Sequence, residues 1–242
     1  QIMNTKITSI ALISLGLLYS SCTRNALCVK GKGDRITEIR TTDTFSEITL
    51  EGSADILLIQ DPDINEAQIE IKGQENIIEE LRTDVQGDEL IIDFKHCVNY
   101  QRALDITIRT NDLNRIDIKG SGDIRTLGEF QGTNLSANID GSGDMDMQIK
   151  YQNIKVGIDG SGDIDLDGSS DRLEAHIKGS GDLKAYSLET KDADIRINGS
   201  GNAQVNVSKS LKVRINGSGN LRYMGSPTMD VDINGSGDVR RK

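Results

Sequence analysis

The chain has 242 residues with 28 Lys and Arg against 38 Asp and Glu, a formal charge of -10; 36% of residues are hydrophobic, 3% aromatic and none is Trp. Such acidity argues against nucleic acid and anionic lipid surfaces as partners, because both are recognised through clustered Lys and Arg. Two His, few rings and 25 Gly weigh against a His-based catalytic or metal site and against a sugar-stacking groove, and so against an enzyme.

Met3 reads as the start, followed by basic Lys6, an apolar run from Ile7 to Leu18, and Tyr19-Ser20-Ser21-Cys22. A charged head, a short apolar stretch and small residues at the cut have the layout of an export signal. The run is too short to span a bilayer, and nothing after Cys22 reaches the ~20 apolar residues a spanning helix needs. The small-small-Cys ending resembles a bacterial lipobox, although Tyr19 stands where Leu is usual. It predicts a lipoprotein signal over 1–21, lipid attached to Cys22, and a linker over 22–35. The acyl chains contribute ~0.8 kcal/mol per buried CH₂. Ordinary signal cleavage, leaving Cys22 a spare thiol, is the alternative. The predicted protein is an exported outer-membrane lipoprotein that meets the membrane only through this anchor, facing either the cell surface or the periplasm.

Cys28 and Cys97 follow. In an oxidising compartment they could form a disulfide; two unpaired, partly buried thiols are the alternative. Adding His96 does not complete a zinc site, since a fourth ligand is missing and the spacing fits no common pattern. Residues 36–112 read as a non-repeating β cap with alternating runs such as Glu47–Leu50, Ile69–Ile71 and Leu90–Phe94. Asn76–Leu81 reads as one short helix ending near Asp84, and the section is expected to cover the first repeat's edge.

Residues 113–242 are a repeat. Gly-Ser-Gly occurs at Gly120-Ser121-Gly122, Gly141-Ser142-Gly143, Gly160-Ser161-Gly162, Gly179-Ser180-Gly181, Gly199-Ser200-Gly201, Gly217-Ser218-Gly219 and Gly235-Ser236-Gly237. The successive spacings are 21, 19, 19, 20, 18 and 18. Asp or Asn follows every triplet: Asp123, Asp144, Asp163, Asp182, Asn202, Asn220 and Asp238. A degenerate copy, Gly52-Ser53-Ala54-Asp55, stands upstream. Around each triplet apolar residues alternate with polar ones, as in Ile154, Val156, Ile158 before it and Ile164, Leu166 after it. A period of two means strands with one buried face. So short a unit cannot bury that face alone and must stack on its neighbours. The predicted fold is an all-β, right-handed parallel β-solenoid with rungs of 18–21 residues, roughly 30 Å long at 4.8 Å per rung. An up-and-down barrel is the alternative architecture.

In such a stack Lys119 lies beside Asp140 and Asp159 beside Lys178, while Asn198, Asn216 and Asn234 form an amide ladder. The Asp or Asn after each corner is expected to cap the turn through its side-chain oxygen. Taken together, the lipobox, Cys28-Val29-Lys30-Gly31-Lys32-Gly33, the Arg40, Phe45, Ile48 spacing before the degenerate copy, and the serial corners resemble the GIN-domain family of autotransporter-adhesin head domains. That resemblance implies a secreted, often lipid-anchored β-helical domain and brings no catalytic residues.

The remaining chemical motifs are weak. Asp163–Gly168 with Glu174 matches the EF-hand formula, but Ile164 and Leu166 belong to the strand pattern and no helix flanks them. Stacked acids at Asp140, Asp144, Asp159 and Asp163 leave structural calcium as a secondary option to no metal at all. No cofactor motif is present, and His96 and His176 read as surface residues. The leading function is therefore a non-enzymatic, envelope-anchored, adhesin-like or structural module with a protein or matrix ligand, self-association remaining open. The alternative is a carbohydrate-active β-helix enzyme, a polysaccharide lyase or hydrolase, which would need carboxylates gathered in a loop-built groove.

Overall fold

The period-two alternation commits the chain to strands, and the computed structural model, which describes residues 28–100 and 104–242, is β apart from one turn of helix. The expected signal peptide and Cys22 lie outside the described residues. Strands β1 (Val29–Lys30), β2 (Arg35–Asp43), β3 (Glu47–Gly52), β4 (Asp55–Gln60) and β5 (Glu66–Gln74) precede helix α1 (Glu75–Ile78). Then come β6 (Leu81–Gln86), β7 (Glu89–Phe94), β8 (Val98–Asn99) and β9 (Asp105–Thr110). The repeats supply β10 (Arg115–Gly120), β11 (Ile124–Thr126), β12 (Phe130–Gly141), β13 (Met145–Gly160) and β14 (Ile164–Gly179). They end with β15 (Leu183–Gly199), β16 (Ala203–Gly217), β17 (Asn220–Met224), β18 (Thr228–Gly235) and β19 (Asp238–Arg241).

Successive repeats pair in parallel with their corners in register, Gly120 on Gly141, then Gly160, Gly179, Gly199, Gly217 and Gly235. This is a stacked parallel β-solenoid; an up-and-down barrel would pair neighbours antiparallel. The inward residues form continuous files. Ile139, Ile158, Ile177, Ile197 and Ile215 are each at most 2% exposed, as are Met145, Ile164, Leu183, Ala203 and Leu221 after the corner. Burying each large member contributes about 1.5–3 kcal/mol, all of it at contacts between rungs. The second, looser bend leaves the strand unbroken, so β13 and β14 run through it for 16 residues each.

The column does not begin at Gly120. Gly52 is in register with it, so the degenerate copy on β3 and β4 is itself a rung. On the far side of that rung lie β7, paired with β3, and β9, paired with β4. Spatial order therefore departs from chain order: β7 and β9, then β3 and β4, then β10 and β11. The chain reaches the outer position through β5, α1 and β6, where the pairings β2–β5, β5–β9 and β6–β7 are antiparallel.

The helix is shorter than its sequence suggests. Only Glu75–Ile78 is helical, and Leu81–Asp84 belongs to β6. Ile77 and Ile78 are 1% and 0% exposed, so one turn suffices to bury them. Beyond it Thr83 and Val85 pair with Ile92 and Leu90, and ladder pairing outweighs extending a short helix that nucleates poorly. At the opposite end of the column Val231 and Ile233 are 42% and 38% exposed, while Val213 and Ile215 above them are buried.

Candidate functional site

The corners are hydrogen-bonded from rung to rung. Ser142 N and Gly143 N both donate to Gly120 O, at 2.8 and 3.2 Å, and Ser180 N and Gly181 N repeat the pattern on Gly160 O at the same distances. After the corner, Ile124 N, Met145 N, Ile164 N and Leu183 N each donate to the carbonyl of the next rung's Asp or Asn. Both glycines are needed for this approach. At Gly160 φ is +139°, and a β-carbon there would overlap the Gly141 carbonyl; at Gly162, with no positive φ, it would overlap Gly143 O. The degenerate copy shows why. The strands packed below it carry no such corner, a β-carbon on Gly52 would meet only Phe94 Cδ2 at 3.8 Å, and Ala54 fits where later rungs need glycine.

The acid or amide after the corner does not cap its own turn. Its side chain accepts from the same position one rung on: Asp144 N to Asp123 Oδ1 at 2.9 Å, Asp163 N to Asp144 Oδ1 at 2.8 Å, Asp182 N to Asp163 Oδ1 at 2.9 Å, Asn202 N to Asp182 Oδ1 at 2.8 Å. Asp163 Oδ2 also accepts from Lys184 at 2.8 Å. Of the acids considered for calcium, Asp144 and Asp163 each give Oδ1 to the amide one rung on, Asp163 Oδ2 meets Lys184, and Asp159 accepts from Lys178 at 3.1 Å. Among the described residues no three His, Cys, Asp or Glu are gathered to hold a metal.

Two neighbouring carboxylates respond oppositely. Partial burial pushes Asp163 up, but hydrogen bonds from Lys184 and the Asp182 amide outweigh it and hold the group below the usual carboxylate range. Burial together with Asp146, its in-register partner, pushes Asp165 up. Asp163 therefore stabilises the fold above the ordinary carboxylate pKa, and that contribution is lost as pH falls through its lowered folded value. Asp165 has the opposite sign: it costs stability at neutral pH, and the cost vanishes once pH falls below the ordinary range. Asp165→Asn is expected to raise stability at neutral pH by about 0.5 kcal/mol, the scale of a cross-strand charge pair. Urea titrations at neutral and acid pH check it, the gain disappearing in acid.

Before the corner the register places Lys119, Asp140, Asp159, Lys178, Asn198, Asn216 and Asn234 in one file. Lys178 meets Asp159 and Asn234 Nδ2 donates to Asn216 Oδ1 at 3.0 Å. Lys119 lies in register beside Asp140 as expected, and its ammonium donates to Glu51 Oε1 on the rung below, at 3.2 Å. His176 Nε2 accepts from Arg196 at 2.7 Å and lies 3.3 Å from Glu174, while His96 Nδ1 sits 2.8 Å from Glu80. Neither is aimed at a serine hydroxyl. Cys28 and Cys97 are joined, with Cα atoms 4.6 Å apart, and Val29 N donates to Cys97 O beside them.

The residues that sequence reasoning missed line a groove of about 840 Å³ at the second bend. One wall is the in-register file Gln131, Lys150, Ser169, Glu189 and Asn206. The floor is Gly132, Tyr151, Ser170 and Thr190: the Ser170 and Thr190 hydroxyls meet at 3.0 Å, and Tyr151 donates to Leu113 O at 2.7 Å. Burial, with Asp112 nearby, pushes the Tyr151 hydroxyl well above its usual pKa. Gln152, Asp171, Lys191 and Ser208 line the other wall, Lys191 pairing with Asp171 at 2.6 Å. A signal existed, since Gln131, Lys150, Ser169 and Glu189 each stand ten residues ahead of their corner's first glycine.

None of the curated proteins matches the chain. Among solved structures it is similar to a putative adhesin from Bacteroides fragilis NCTC 9343, with TM-score 0.83 and 25% identity over 88% of this chain and 100% of that one. A putative adhesin from Parabacteroides merdae ATCC 43184 superposes with TM-score 0.72 at 25% identity, covering 89% of this chain and 99% of that one. A protein from Parabacteroides distasonis ATCC 8503 named a putative lipid binding protein shares the fold, with TM-score 0.75 at 24% identity over 88% and 99% of the two chains. The family described as "Putative auto-transporter adhesin, head GIN domain" matches residues 44–227, from the degenerate first corner to the last bend before β18, and the chain belongs to it.

Proposed function

We propose that the chain is a non-enzymatic, adhesin-like interaction module, exported by residues 1–21, held to the outer membrane by lipid on Cys22 and spaced from it by residues 22–35. The observation that carries the reading is the solenoid's economy of polar groups. Corner amides, carbonyls and post-corner acids are used between rungs, which yields a stiff column presenting outward side chains at fixed intervals. Both histidines are engaged by charged neighbours rather than by a nucleophile. Membership of the family described as "Putative auto-transporter adhesin, head GIN domain" and likeness to two solved structures named putative adhesins support the reading, and the disulfide suits an oxidising compartment. The partner is a protein or matrix surface.

Protease treatment of intact cells tests it. The protein is expected to be digested without lysis, and Cys22→Ala is expected to leave the membrane fraction. Digestion only after lysis overturns surface display, and membrane retention of Cys22→Ala overturns the lipid anchor. Reproducible cleavage of a polysaccharide panel, abolished by one Asp or Glu substitution, would overturn the non-enzymatic assignment.

A further inference from the structure

We propose that the groove at the second bend binds a linear glycan lengthwise, one sugar to a rung; the proposal rests on the adhesin-like reading and names its ligand class. The groove crosses five rungs from Gln131 to Asn206, roughly 19 Å at 4.8 Å per rung. Each rung contributes polar groups from both walls, such as Lys150 and Gln152, Ser169 and Asp171, Glu189 and Lys191. Two lysines oppose two acids, so neither a polyanion nor a polycation is favoured along the whole length. Sugar hydroxyls both donate and accept, and they match such a mixed lining.

The competing occupant is an extended peptide, and two observations disfavour it. The groove's inner strands pair in parallel with the rung on either side, at Lys150 and Tyr151, Ser169 and Ser170, and Glu189 and Thr190, leaving no edge for strand addition. Side chains on one face of a peptide recur at about 6.7 Å, out of step with rungs 4.8 Å apart, whereas one sugar of an extended chain is close to a rung in length. The floor is preset. A β-carbon on Gly132 would overlap the Tyr151 ring, and Ser170 and Thr190 are fixed on each other, so little order is lost on binding. With no exposed ring in the lining, each rung contributes weakly and affinity must build with chain length.

The test uses the full chain in detergent and three probes: hexasaccharides of β-1,4-linked glucose, β-1,4-linked N-acetylglucosamine and β-1,4-linked mannose, each beside its disaccharide. At millimolar concentration at least one hexasaccharide is expected to shift the amide resonances of Lys150, Ser169 and Glu189. It is also expected to bind about tenfold more tightly than its disaccharide. Lys150→Ala and Glu189→Ala, on exposed positions that leave the melting temperature unchanged, are each expected to weaken it about tenfold, the loss of one hydrogen bond to a charged group. No response to any of the three, binding unaffected by both substitutions, or an unstructured peptide shifting the same amides more strongly would overturn the proposal. Protease shaving of cells decides the adhesin-like reading separately, so the two can fail independently.

Discussion

Gly160→Ala is expected to destabilise the protein by about 3–5 kcal/mol, whereas Ser161→Ala beside it costs under about 0.5 kcal/mol. The alanine must adopt a φ of +139° and place its β-carbon on the Gly141 carbonyl. Relief requires the two rungs to separate, which breaks the hydrogen bond of Ser161 N to the Gly141 carbonyl. The Ser161 side chain is exposed, so its removal leaves that backbone bond in place. Gly52→Ala divides the effect into its parts. It carries the same backbone strain at φ +128° but meets only Phe94, at 3.8 Å, so about 1–3 kcal/mol is expected from conformation alone. Urea unfolding of the three variants, with hydrogen exchange to localise the damage, checks the ranking. Equal losses at Gly52 and Gly160 would show that rung approach is not the constraint.

Reducing the Cys28–Cys97 disulfide, or replacing both residues by Ser, is expected to cost about 4 kcal/mol in the loop-entropy model, given a sequence separation of 69. The closed loop contains β1 to β7, most of the interlaced base of the column, with β9 beyond it. Without the bond, β1 is held to β8 by two register pairs and by Val29 N and Gly31 N on Cys97 O and Asn99 O. Thermal melts with and without reductant measure the effect, and the double Ser variant should be indifferent to reductant. A loss confined below about 1 kcal/mol would mean that the unfolded chain gains little freedom from opening the loop.

The column was legible because its determinants are local and recurrent. A Gly-Ser-Gly corner that recurs in every unit from Gly120 onward fixes register, and alternation then dictates which face is buried. The fate of Ile139, Ile158 and Ile177 follows directly. What was not legible depends on contacts between segments unlike each other. Nothing near Leu90 or Ile106 signals that β7 and β9 slip beneath the first rung. Lys119 has acids on both neighbouring rungs, and its choice of Glu51 over Asp140 is a matter of geometry. The groove escaped notice because its lining keeps polarity from rung to rung but not residue identity.

The interlacing at the base makes the two ends unequal in a way that bears on how such chains lengthen. Because β3 and β4 are clasped between β7 and β9 on one side and β10 and β11 on the other, no single coil can be copied or deleted there without unthreading the rest. From β12 onward each coil touches only the one before and the one after, so an in-frame tandem duplication of some 18–21 codons inserts a new storey and leaves every older contact in place. Growth of this architecture is therefore one-way, away from the interlaced end, and the reach of the molecule can be tuned by counting storeys without redesigning its base.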